Sequence, residues 1–207
     1  MLPPQLKAFL TSLDTSTITA ERKIILHRLV DFIREKIDER QAVQLLFVCT
    51  HNSRRSQLAQ VWAQTIAYYL RIPRVQTYSG GTTVTAVYPE VLNALTHVGF
   101  HIESSQPDTP NAKYNIEYAP EQMPLVLFSK EYTHGSNPQS QFAAIMTCDR
   151  AATDCPMVPG AESRIALTYR DPKEFDQLPV CAEEYQQTSR LIATELLYVF
   201  SQINIVQ

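Results

Sequence analysis

The run Gln44-Leu45-Leu46-Phe47-Val48 ends on Cys49 and passes through Thr50-His51-Asn52-Ser53-Arg54-Arg55-Ser56. After it, Leu58, Val61, Trp62, Thr65, Ile66 and Tyr69 recur at helical spacing. A short apolar run reads as a buried strand and the following period as a helix over 56–70. The chain therefore delivers a cysteine from a strand into a tight loop and leaves through a helix. Five residues between Cys49 and Arg55 let such a loop curl with successive N–H groups pointing inward, which makes an anion nest. The helix that follows favours negative charge at its N-terminus, and Arg55 at its start can fork two donors onto a bound oxyanion. Cys49 is then read as a thiolate nucleophile facing a tetrahedral oxyanion.

At 207 residues the chain suits one domain of ordinary size with a real core. Its formal net charge of −3 comes from interspersed acids and bases, so it has no basic footprint for nucleic acid. Met1-Leu2-Pro3-Pro4-Gln5-Leu6-Lys7 lacks the basic-then-apolar layout of a signal peptide, and no apolar run approaches a membrane span. The expectation is a cytoplasmic protein with no membrane partner. In that compartment the four cysteines, Cys49, Cys148, Cys155 and Cys181, are expected to be reduced and catalytic or redox-active rather than a static disulfide frame.

Residues 1–41 form a helical extension, with Ile25, Leu29, Ile33 and Ile37 recurring every four residues after a Thr19 cap. Packing on the core is the simpler use of that stripe, and a homodimer through this helix is the other. Residues 42–207 form the catalytic domain. There, strands are predicted at 43–48, 75–79 and 124–128 or 142–147, and helices at 56–70, 88–98 and 183–203. Ile192, Leu196, Val199 and Ile203 form the core stripe of the last helix. The alternation predicts parallel βαβ units. Prolines 107, 110, 120, 124 and 138 break the pattern between about 104 and 141, which reads as an insertion with one short strand, Leu125–Phe128. Ligands of open parallel sheets bind beyond the strands' carboxyl ends. Cys49 and Cys148 each end such a strand and are expected to share one crevice.

Four segments resemble the low-molecular-weight protein tyrosine phosphatase superfamily, in particular its thioredoxin-coupled arsenate reductase branch. They are Cys49-Thr50-His51-Asn52-Ser53-Arg54-Arg55-Ser56, then Tyr78-Ser79-Gly80-Gly81-Thr82, then Cys148-x6-Cys155-Pro156, then Arg170-Asp171-Pro172. They span roughly residues 43–205 in the family's order. The resemblance implies a three-layer α/β sandwich on a parallel sheet of four, or five, strands. In the loop, His51 stands where the family usually has glycine and Arg54 where a cysteine is common. His51 would carry a backbone cost if that position needs positive φ. Arg54 is read either as added charge on the anion or as a solvated side chain.

The resemblance also implies roles. Cys49 attacks the central atom, loop amides from Thr50 to Arg55 and the Arg55 side chain hold the equatorial oxygens, and Ser56 steadies the thiolate. Asn52 is read as a loop organiser whose amide bonds backbone within the turn. Asp171 is the general acid, and Pro172 biases it toward extended backbone. A Cys49, Cys148, Cys155 relay would reduce arsenate, with a thioredoxin-like protein as reductant. On a regular helix Cys148 and Cys155 would lie about 10 Å apart, beyond the roughly 7 Å a disulfide spans, so the segment between them must unwind on oxidation. Cys181 has no partner in this scheme. The alternative is a phosphatase acting on phosphotyrosine or small phosphoesters, with Tyr169 or Phe175 as an aromatic wall. A third reading is a redox-sensing or oxyanion-binding protein with little turnover. None of these calls for a metal or other cofactor.

Overall fold

The computed structural model describes residues 1–106, 108–154 and 157–203. Two helices, α1 (Pro4–Thr11) and α2 (Ala20–Asp38), precede β1 (Val43–Cys49), α3 (Arg55–Tyr69), β2 (Val75–Gly81) and α4 (Pro89–His97). There follow β3 (His101–Ser104), β4 (Tyr114–Glu117), β5 (Leu125–Leu127), β6 (Phe142–Met146), α5 (Asp149–Asp154), β7 (Ala161–Ala166) and α6 (Cys181–Ser201). The main sheet has four strands in the order β2-β1-β6-β7, and every neighbouring pair is parallel. A second sheet, β3-β4-β5, is antiparallel.

β1 is central because both of its faces are apolar. Val43, Leu45 and Phe47 join a core with α2, α3 and α6, while Leu46, Val48 and Cys49 join Met146, Cys148 and Ala151 on the opposite face. The alternation holds from Val43 to Val48 and breaks at Cys49, where the strand ends, and it makes three lopsided layers with most helices on one side and α5 on the other. α2 starts where the sequence places it, with Thr19 Oγ1 accepting from Arg22 N at 3.2 Å. Its Leu29 and Ile33 are fully buried and Ile25 and Ile37 half-buried against the chain's own core. Ile192, Leu196, Val199 and Ile203 of the C-terminal stripe are likewise buried.

Two readings change. The alternatives 124–128 and 142–147 are both strands, but only β6 enters the parallel sheet, which has four strands and not five. The segment expected to hold one short strand contributes to a three-stranded sheet, and its continuation, Phe128–Asn137, lies against the Cys49 loop. A parallel bridge between Gly81 and Glu131 ties it to the end of β2. Edge strand β7 and helix α1 also escaped the sequence reading. Among the described residues no helix is long and apolar enough to cross a membrane.

Candidate active site

Cys49 is the last residue of β1, buried, with the turn of α3 directly above it. Its sulfur accepts the Asn52 N–H at 3.2 Å and lies 3.1 Å from Ser56 Oγ. Asn52 Nδ2 donates to that same hydroxyl oxygen at 2.9 Å, which fixes the serine side chain beside the sulfur. A backbone N–H and a hydroxyl thus converge on the Cys49 sulfur.

The loop is braced from beneath. Thr82 and Thr83 donate their N–H groups to Thr50 O, each at 2.9 Å. A Cβ on Gly81 would sit 2.7 Å from Asn52 N and 2.8 Å from Thr50 O, and one on Gly80 would sit 2.4 Å from Tyr132 Cα. The Ser-Gly-Gly run is therefore required by the closeness of backbone to backbone. Gln57 Nε2 spans from Asn52 O (2.8 Å) to Phe128 O (3.0 Å), and Ser129 Oγ donates to His51 O at 2.8 Å.

Arg55 donates Nη1 to Tyr169 O at 2.7 Å and pairs through Nη2 with the Asp171 carboxylate. Its Nε is buried with no hydrogen-bond partner among the described residues. A buried charged donor without an acceptor is costly, and Arg55 lines the cavity beside the loop, where a bound oxyanion would supply one. Asp171 Oδ1 accepts from Lys173 N at 3.1 Å, capping the short 3₁₀ turn Pro172–Phe175. A cavity of about 570 Å³ beside the loop is lined by Thr50, His51, Arg55, Cys148, Asp171 and Lys173, among others.

Cys148 follows β6 and is buried. Its sulfur accepts the Ala151 N–H at 3.3 Å and sits 3.5 Å from Thr50 Oγ1. Cys148 lines the same cavity as Thr50, His51 and Arg55 of the loop, and the two strand-end cysteines share one buried cluster. Cys155 lies outside the described residues. Cys49, Cys148 and Cys181 are free thiols.

Four expectations are corrected. The positive backbone angle in the loop falls on Asn52 (φ 46°), not His51. Asparagine is among the residues that accept it most readily. The Asn52 amide does not bond backbone within the turn; it donates to Ser56 Oγ and accepts from Lys130 N at 3.0 Å. Arg54 neither adds a hand to the anion nor points into solvent. Its guanidinium bonds the Tyr185 hydroxyl, pairs with Asp176 and lies 4.1 Å above the Tyr88 ring centroid. Tyr169 is no wall for a substrate, because it is buried with the Arg22 guanidinium 5.0 Å from its ring centroid.

Burial, and then the charges of Lys173, Arg54 and Arg150, hold the His51 imidazole below its ordinary range. Gln57, Ser129 and Lys130 were missed by the sequence reading. Gln57 had the faint signal of an amide on the buried side of an amphipathic helix; Ser129 and Lys130 had none.

No family model matches the chain. Two curated relatives do, "Arsenate reductase 2" and "Arsenate reductase" from two strains of Staphylococcus epidermidis. Each is 27% identical over 128 residues, covering 62% of this chain and 77% of the relative. Among solved structures, a low-molecular-weight phosphotyrosine phosphatase from Vibrio cholerae O395 aligns with TM-score 0.52 at 19% identity, over 78% of this chain and 95% of that one. A low-molecular-weight protein tyrosine phosphatase from T. tengcongensis aligns with TM-score 0.50 at 14% identity, over 78% and 100%. The chain therefore has the fold of the low-molecular-weight protein tyrosine phosphatases, and the curated proteins it resembles in sequence are named arsenate reductases.

Proposed function

We propose that the protein is a cysteine-dependent oxyanion enzyme that reduces arsenate by a thiol relay. The observation that carries the reading is the second buried thiol, Cys148, on the same cavity as Arg55 and Asp171. Its sulfur already accepts a backbone N–H. Hydrolysis of a phosphoester has no use for such a thiol, whereas reduction requires one.

In the proposed sequence the Cys49 thiolate attacks arsenic(V), and an oxygen leaves as water with the Asp171 proton. The loop amides and Arg55 hold the remaining oxygens. Cys148 then attacks the Cys49 sulfur. The electron pair of the sulfur–arsenic bond passes to arsenic, arsenite leaves, and a Cys49–Cys148 disulfide remains. Cys155 displaces Cys49 from it, and a dithiol protein of the thioredoxin type reduces the resulting Cys148–Cys155 bond. The names of the curated relatives support the same assignment.

The mouth of the site favours a small anion over an aryl ester. Of its aromatic lining residues, Tyr169 is covered by Arg22 and His51 is the small ring of an imidazole. The nearby Tyr88 ring is stacked on Tyr185, with a centroid distance of 5.4 Å, and covered by Arg54. Phosphoester hydrolysis remains a second reading, favoured by the Arg55–Asp171 pair, which needs neither Cys148 nor Cys155. Consumption of reducing equivalents on adding arsenate with a thioredoxin system, run beside aryl phosphate hydrolysis, tests the choice. Arsenate-dependent consumption is expected; hydrolysis alone overturns the reductase.

A further inference from the structure

We propose that Arg22, on a helix outside the part of the chain that resembles the superfamily, is a positioning residue for the segment that anchors Arg55 and carries Asp171. The proposal rests on the reading of Cys49, Arg55 and Asp171 as the reacting constellation. Arg22 donates Nε to Glu195 Oε1 at 2.7 Å and Nη2 to Glu195 Oε2 at 2.8 Å, a bidentate pair. Glu195, on α6, is buried. The same Nη2 donates to Thr168 O at 3.1 Å, and the guanidinium covers the Tyr169 ring. One side chain therefore grips two consecutive residues.

From there the connection to the chemistry is short. Tyr169 O receives Arg55 Nη1, and Asp171, two residues on, receives Arg55 Nη2. On its other edge the segment is tied to the end of β6, with Tyr169 N donating to Thr147 O at 3.2 Å. The strand-end bond holds the inner edge of residues 168–171 and Arg22 holds the outer one. Lysine has the charge but not the fork to replace Arg22 here. The consequence is that the extension does more than enlarge the core: it sets where Asp171 and Arg55 stand relative to Cys49. A displacement of about 1 Å in such groups can cost two orders of magnitude in rate.

The test compares wild type with Arg22→Gln and Arg22→Lys. Because Arg22→Gln leaves Glu195 buried and uncompensated, it risks unfolding; Arg22→Lys keeps the charge and loses only the contact geometry. Three readouts are taken on folded protein: protection of Cys49 from alkylation by inorganic phosphate, turnover of aryl phosphates with good and poor leaving groups, and amide exchange of residues 168–171. In Arg22→Lys, phosphate protection is expected to weaken about tenfold, and turnover of the poor leaving group to fall about tenfold more than that of the good one. A merely structural role would lower the melting temperature and leave that ratio alone. Wild-type protection and an unchanged ratio in folded Arg22→Lys overturn the proposal. If wild type itself shows neither turnover nor protection, the reading of the Cys49 loop fails instead. The clamp is then decided by amide exchange, which must rise in Arg22→Lys and which, unchanged, overturns it.

Discussion

The Ser56 hydroxyl lies 3.1 Å from the Cys49 sulfur and its oxygen accepts the Asn52 amide; toward a thiolate, which has no proton to give, the serine acts as the donor. A hydrogen bond to a charged acceptor is worth about 1.5–3 kcal/mol, and losing it changes how the sulfur is held for attack. Ser56→Ala is expected to slow alkylation of Cys49 by iodoacetamide about tenfold at fixed neutral pH. Wild-type alkylation in the folded variant contradicts this role.

Gly81→Ala tests the brace beneath the loop. The added methyl would meet backbone atoms of Asn52 and Thr50 at 2.7 and 2.8 Å, and backbone cannot swing aside as a flexible side chain can. Overpacking of this kind costs about 1–3 kcal/mol. A fall in melting temperature of about 2–10 °C is expected, with a larger proportional loss of turnover because the atoms pushed belong to the nucleophile loop. A variant as stable and active as wild type would show that the loop yields freely.

Much of this site was legible in the sequence because its signals are local. Cys49, Asn52, Arg55 and Ser56 sit within eight residues, and β1 and β6 announce themselves as apolar runs. The Arg54 partners do not: Tyr185 and Asp176 lie 131 and 122 positions away, so no spacing rule connects them. β3 and β4 are short and mostly half-exposed or exposed, too weak in alternation to be seen through the surrounding prolines. Lys130 looked like an ordinary surface lysine, yet its backbone N–H holds Asn52 and its side chain is buried 4.6 Å from the Phe128 ring centroid.

That burial makes Lys130 a pH probe. Desolvation pulls its ammonium down to about 8, against about 10.4 in an unfolded chain. Between those values the unfolded state binds the proton and the folded state does not, so stability contributed by this group rises with pH; below about 8 the folded state bears the cost of a buried charge. Lys130→Met is therefore expected to stabilise the protein at pH 7 by about 2–3 kcal/mol, with the gain fading toward pH 10. Melting temperatures of both proteins across that interval check it. A gain independent of pH would mean that packing, not charge, decides.

Asp171→Asn should slow the first chemical step on substrates with poor leaving groups about a hundredfold more than on those with good ones, since only the former need a proton. The Asp171 contact to Arg55 complicates a simple loss of rate, because removing its charge also frees a guanidinium donor for the anion. The ratio across a leaving-group series separates the two effects. Equal slowing throughout the series rules out the general acid.

The proposed relay is tested most directly by mass mapping of the Cys155→Ser variant after exposure to arsenate. With Cys155 gone, the second exchange cannot occur. The account predicts one arsenite per chain and a Cys49–Cys148 disulfide. Absence of that linkage, with aryl phosphate hydrolysis unchanged, would contradict the reductase and leave a phosphatase.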